Sequence, residues 1–298
     1  MLSLTASMLE EAGAILGSAA TAASSWLVDG AGVVLVTGAA LGLVFGLMQG
    51  NVAGWGSPEV LAALGTGLVL AAGFVVWELR AQAPMVPMRL FGARAFSSGV
   101  GACFLYSAGM YGVLFFLPQF LQTVQGYGPL GAGLRLLPWT ATLFVIAPVA
   151  GGLVNRIGER PLIVAGLVMQ AVGMAWIAVI AAPDLAFVKL VAPLILSGAG
   201  VSMAMPAAQN AVLSSVAVTE MGKASGVFNM SRFLGGMFGV ALLVAVFSAH
   251  GAADTPAHFA SGFAAAMIVA AMLSLFAALA GAFLPARRPV AQLKPQQA

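Results

Sequence analysis

The stretch "GGLVNRIGERP" (residues 151–161) packs Arg156, Glu159 and Arg160 into five positions of a chain that is only 7% charged. It lies between two apolar runs, 133–153 and 161–182, each long enough to cross a bilayer as a helix of about 20 residues. Gly158 permits a sharp reversal, and Pro161 suits the first turn of the helix that follows. Gly151 and Gly152 would let two helix ends approach closely. Arg156 and Arg160 would bond helix-end carbonyls or a nearby acid. The pattern predicts a helical hairpin turning in water between two buried spans. It leaves open whether the hairpin is an ordinary basic loop or a moving part.

Working outward, the same alternation repeats. Eight apolar segments are predicted at 30–50, 59–79, 97–121, 133–153, 161–182, 188–208, 226–248 and 262–284. The chain is 61% hydrophobic, with 12 basic and 9 acidic residues in 298. Its mean hydropathy is +1.03. A water-soluble domain needs far more charge to cover its surface. Backbone amides in lipid must be satisfied within the segment, and the period-two pattern of a barrel is absent, so the spans are read as helices. The predicted fold class is all-α, a polytopic membrane protein with eight transmembrane helices. The net charge of +3 is too small to suggest nucleic acid. Cys103 is the only cysteine, which excludes an intrachain disulfide.

Basic residues set the orientation. Arg80, Arg89 and Arg94 follow the second segment, Arg156 and Arg160 the fourth, Lys223 the sixth, and Arg287, Arg288 and Lys294 lie in the tail. All share one side if the segments alternate; on the other side Lys189 is the only clear cation. The even-numbered ends and the C-terminus are therefore expected in the cytoplasm, with the chain in a bacterial-type inner membrane. Residues 1–28, with Glu10 and Glu11 where a signal peptide would be basic, read as a poorly ordered or surface-helical segment. The expected layout is then a helix pair over 29–80, a cytoplasmic linker over 81–96, a six-helix bundle over 97–284 and a tail over 285–298.

The hairpin resembles the "G-x-L-x-D-R-x-G-x-R/K" signature of major facilitator superfamily transporters. Gly152, Leu153, Arg156, Gly158 and Arg160 match it in order, and Asn155 stands at the acidic position. "FLPQFLQTVQGYGPLGAGLRLLP" (116–138) and "MGKASGVFNMSRFLGGMFGVAL" (221–242) are similar to the second half of the fourteen-helix drug:proton antiporters of the EmrB/QacA type. "VDGAGVVLVTGAALGLVFGLMQG" followed by "GWGSP" is similar to the seventh helix of that family. The resemblance implies that the first two segments are the family's central helix pair and the other six its C-terminal bundle. The N-terminal six helices, with their membrane-embedded acid, would have no counterpart here. An amide at Asn155 bonds more weakly than a carboxylate and does not titrate, so the hairpin (Gly152, Asn155, Arg156, Gly158, Arg160) reads as a gate hinge at most.

In such transporters cargo binds near the midplane between two halves. The resemblance would turn the third, fourth, sixth and seventh segments toward that cavity. Tyr106, Tyr111, Phe115, Gln119, Trp139, Met203, Met205 and Asn229 are the expected cargo-path residues, since aromatics and methionines adapt to bulky apolar ligands. The same residue types also serve ordinary helix packing. Arg135 and Arg232 are the charges expected within membrane depth. Arg135 would snorkel to the headgroups, while Arg232, about two turns into its helix, would bond helix-end carbonyls or the cavity rim. Pro138, Pro148, Pro193 and Pro206 are expected to bend their helices.

No cofactor is implied, and His250, His258 and Asp254 match no zinc spacing, so no metal is expected. No Walker lysine motif and no nucleophile–base set suggest an enzyme. The expected function is a multidrug-efflux-type secondary transporter, exporting small amphipathic molecules with proton coupling. It would contact membrane lipid and a small-molecule substrate, and would work with a missing N-terminal half or a second copy. The alternative is a truncated, non-transporting fragment or scaffold.

Overall fold

The computed structural model describes residues 30–81, 84 and 86–285, so the expectations for residues 1–28 and for the tail lie largely outside the described residues. The described chain is all-α, and eight of its helices are long and apolar enough to cross a membrane. They are α1 (Gly30–Ala53), α2 (Pro58–Arg80), α3 (Arg94–Gln119), α4 (Leu137–Ile157), α5 (Glu159–Ile180), α6 (Phe187–Leu213), α7 (Met221–His250) and α8 (Pro256–Ala282). A π-turn, Phe120–Val124, extends α3 beyond Pro118. A short helix, Pro129–Arg135, leads into α4.

Local chemistry sets several ends. Ser57 caps α2 by accepting the Val60 N–H at 3.3 Å, with Pro58 in the first turn. Thr255 caps α8 in the same way, accepting the His258 N–H at 3.2 Å ahead of Pro256. Gly158 turns the chain between α4 and α5 at φ +86°, a conformation that side-chain-bearing residues rarely adopt. Met221–Ser225 belongs to α7 rather than to a loop, so that helix begins five residues before its apolar core. Pro138 lies in the first turn of α4, where its missing N–H costs nothing; it is not a bend within a helix, whereas Pro148, Pro193 and Pro206 are helix-internal.

α3, α5, α6, α7 and α8 pack around a shared interior; α4 leans mainly on α6, and the α1–α2 pair joins the bundle through α1 against α7. In lipid, helices gain little from apolar burial, so close backbone approach at small residues matters most. A methyl on Gly239 would lie 2.1 Å from the Ala108 carbonyl oxygen, and one on Gly235 2.2 Å from that of Phe104. Across the α5–α6 seam, a methyl on Gly166 would meet the Gly200 carbonyl oxygen at 2.5 Å. Gly151 and Gly152 do not act this way. Both are exposed, with no atom within 4 Å of an added methyl, because α4 packs on α6 and barely touches α5.

The loops gather at two ends. Asn210 Nδ2 donates to Glu159 Oε1 at 2.7 Å, joining the end of α6 to the start of α5. Arg89 pairs with Glu220, and Lys223 Nζ donates to the Pro84 carbonyl at 2.9 Å, so the α2–α3 linker meets the start of α7. The basic segments 80–96 and 151–161 thus share one end of the bundle. At the opposite end Gln125 Nε2 donates to the Leu185 carbonyl at 2.5 Å. An aromatic cluster closes the interior there, with Phe120 stacked on Phe263 at 4.6 Å between ring centroids.

Candidate cargo-facing site

α3 positions three of the expected residues on one stripe, because Tyr111, Phe115 and Gln119 follow one another at four-residue steps. Phe115 is 42% exposed, and Tyr111 and Gln119 are half-buried. Gln119 Nε2 bonds the Phe115 carbonyl at 3.1 Å, which spares the amide an unmatched donor in lipid. The Tyr111 ring lies on α7 over Gly236, where a methyl would come within 2.6 Å of the ring.

Beside that ring a crevice of about 430 Å³ opens between α1, α3 and α7, lined by Val44, Met48, Tyr111, Phe233, Met237 and Val240. A second, of about 310 Å³, runs on between α1 and α7 past Thr37, Met230 and Phe233. Val44, Met48, Phe233 and Met237 were not among the expected residues. The adaptable Phe233 and Met237 were visible in the sequence, but the docking of α1 on α7 was not. Asn229 lies on the same side of α7, half-buried, its Nδ2 bonded to the Ser225 carbonyl at 2.9 Å.

Four expected residues are placed elsewhere. Tyr106 is fully buried on the opposite face of α3, where its hydroxyl oxygen accepts from the Cys103 thiol at 3.8 Å. It packs the interior and does not reach the open face. Trp139, 7% exposed, sits in the first turn of α4 against α6, where a methyl on Gly198 would lie 2.6 Å from its carbonyl oxygen. That position is a helix seam. Met203 and Met205 are half-buried against the apolar cluster at the basic end. Five residues, about 1.4 turns, separate Tyr106 from Tyr111, and the remaining rotation of about 140° points one inward and the other outward.

At the hairpin, Arg156 and Arg160 are exposed, and no ion pair among the described residues involves them. Glu159, to which the pattern assigned no role, makes the inter-helix bond instead, through Asn210. Its signal was being the only acid in that stretch. Gly158, Glu159, Arg160 and Pro161 line a crevice of about 440 Å³ with Val164 and Ala282 of α8. The backbone of Asn155 lies within α4 and that of Gly152 one turn earlier.

The two arginines expected within membrane depth each lie beside a ring. The Arg135 guanidinium lies over the Tyr127 ring, 3.4 Å from the centroid, and Nη1 donates to the Gly131 carbonyl at 3.1 Å. The short helix and the preceding loop fold back to hold the charge locally. Arg232 bonds no helix-end carbonyl among the described residues. Its guanidinium carbon is 5.0 Å from the Phe233 ring, and its buried Nε has no hydrogen-bond partner there.

Eight spans, a charged Gly-turn hairpin and an open aromatic–amide face define a polytopic helical protein of transporter architecture. Residues 12–240 match the Major Facilitator Superfamily, and the chain belongs to that family. It is 34% identical to the cephamycin export protein CmcT of Amycolatopsis lactamdurans, over 86% of this chain and 53% of that protein. The multidrug resistance protein Stp of Mycobacterium tuberculosis is 31% identical over 77% of this chain and 42% of its own length. The multidrug efflux pump LfrA of Mycolicibacterium smegmatis is 32% identical over 65% and 38%. The chain spans about half the length of these relatives or less.

Proposed function

We propose that this chain forms the cargo-facing C-terminal portion of a secondary transporter that exports small amphipathic molecules. It carries the central helix pair over 29–80, the linker over 81–96 and the six-helix bundle over 97–284. The observation that carries the reading is the open face of α3 and α7. It sets Tyr111 in a crevice with adaptable Met48, Phe233 and Met237, with Phe115 and Gln119 farther along the same stripe of α3 and Asn229 one turn before Phe233 on α7. Polar side chains are costly to leave facing lipid, so that face calls for an opposing wall. Relatives named for multidrug efflux and antibiotic export support the same class.

The opposing wall is a six-helix half or a second copy of this chain. The basic end faces the cytoplasm of an inner membrane, following the charge asymmetry. Transport is driven by a proton gradient, and no covalent chemistry on the cargo is part of the cycle. The hairpin around Gly158 acts as a hinge held by the Glu159–Asn210 bond.

Proteoliposomes loaded with ethidium and given an inward proton gradient test this. Efflux is expected when a six-helix N-terminal half of a relative is supplied with the chain, and is expected to fall with Tyr111→Ala or Phe233→Ala. Efflux from both substituted chains equal to that of the unaltered chain would overturn the assigned face. Robust efflux from the monomeric chain alone would overturn the need for an opposing wall.

A further inference from the structure

Arg232 lies deep in α7. That helix begins at Met221, which places Arg232 about three turns in, roughly 16 Å along the axis. Thirty residues make α7 about 45 Å long, against a hydrocarbon core of about 30 Å. Even if all the excess length projected at the Met221 end, Arg232 would still reach the hydrocarbon boundary. A guanidinium is costly to leave unmatched once it enters the hydrocarbon, and every placement of α7 that shares its excess length between the two ends puts Arg232 there.

No matching group is found among the described residues. Neither of the ion pairs Arg89–Glu220 and Asp254–His258 involves Arg232, its buried Nε lacks a partner, and its neighbour Phe233 offers only a ring 5.0 Å away. Helical spacing places Ser225, Asn229, Arg232 and Gly236 on one stripe. The adjoining stripe is taken by the α3 seam, where Ser231 Oγ donates to the Val100 carbonyl at 3.1 Å and Gly235 abuts Phe104. Arg232 therefore stands beside the seam, one turn below Gly236, which Tyr111 covers.

We infer that Arg232 is a carboxylate-binding residue of the cargo face, with its planar donor fork available to two oxygens and the Tyr111–Phe233 surface taking the apolar body of an amphipathic acid. The inference rests on the proposed cargo face and adds to it a receptor for an anionic carboxylate. Arginine suits this role because two parallel N–H donors match the carboxylate geometry, which a lysine ammonium does not. The carboxylate belongs either to the cargo or to a side chain of the facing half; the chemistry at Arg232 is the same.

A matched pair of probes decides it: 1-pyrenebutyrate and its neutral amide, titrated against the full chain in phosphatidylcholine nanodiscs. Binding is read by energy transfer from tryptophan, with empty nanodiscs as the blank. The acid is expected to bind about tenfold more tightly than the amide. Arg232→Gln should bring the two to within about twofold, with Arg232→Lys, which keeps the charge, between them. Equal binding of both probes by the unaltered chain, or an acid preference that survives Arg232→Gln, overturns the inference while leaving the cargo face standing. Binding of neither probe overturns both. Adding a relative's six-helix N-terminal half distinguishes the sources. An acid preference that persists assigns the carboxylate to cargo; one that disappears as the complex forms assigns it to the facing half, and both results support Arg232 as its receptor.

Discussion

The guanidinium of Arg135 sits over the ring of Tyr127, eight residues earlier, at 3.4 Å from the centroid, with Phe187 of α6 5.2 Å away on another side. The contact fastens the short helix Pro129–Arg135 to the α3 end and to α6. A cation held by a ring in a water-poor site contributes about 1–2 kcal/mol. Tyr127→Leu should lower stability by about that amount and Tyr127→Phe by far less, since the ring face and not the hydroxyl holds the charge. Thermal unfolding followed by tryptophan fluorescence in detergent checks this; equal losses would refute it.

Glycine replacements should separate two kinds of site. Gly239→Ala places a methyl 2.1 Å from the Ala108 carbonyl oxygen, a backbone atom that cannot step aside without moving α3 from α7. Overpacking of this kind costs about 1–3 kcal/mol or more. Gly152→Ala meets nothing within 4 Å and replaces a poor helix former, so it should leave the chain as stable or raise stability by up to about 1 kcal/mol. Midpoint temperature and monodispersity on gel filtration read both.

The α2–α3 linker is held by bonds of unequal weight. Glu78, 2% exposed, accepts the Val86 N–H at 3.0 Å, while Arg89, whose side chain is 75% exposed, pairs with Glu220. Glu78→Ala strands a buried N–H and should cost about 1–3 kcal/mol. Arg89→Ala removes a surface pair and should cost about 1 kcal/mol or less. Limited proteolysis of the linker should follow the same order, with cleavage quickened chiefly by the first.

At the far end, the hydrogen bond from His258 holds the Asp254 carboxyl below its ordinary value, with the Thr255 N–H adding to the effect. A carboxyl depressed on folding stabilises above its ordinary value, about 3.9, and loses that contribution as the pH falls through the depressed value. The pair is fully exposed, so the effect is small. The midpoint difference between the unaltered chain and Asp254→Asn should close as the pH falls below about 3.9. A difference that widened as the pH fell from about 5 to about 3 would contradict the assignment.

How much of this was legible in advance depended on the kind of residue. Gly158 turned where expected, because a positive φ between two helices is a local demand on one residue. The predicted spans differ from the observed helices mainly at their polar ends: α7 gained Met221–Ser225 and α8 begins at Pro256. Hydropathy reports where lipid begins, not where helical bonding begins. Of the expected cargo residues, Tyr111, Phe115, Gln119 and Asn229 reached the open side of the bundle, and Tyr106 and Trp139 turned into seams.

Eight lipid-length segments and a one-sided spread of cations were properties of the chain read by itself, since a span must satisfy its own backbone wherever its neighbours lie. Which face of each helix turns inward was decided only by the packed structure. A soluble helix announces its buried face by where its polar residues fall, but these spans are apolar nearly all the way round, and lipid accepts either side. Their rotation is set by backbones meeting at glycines such as Gly235 and Gly239, contacts between segments more than a hundred residues apart in sequence.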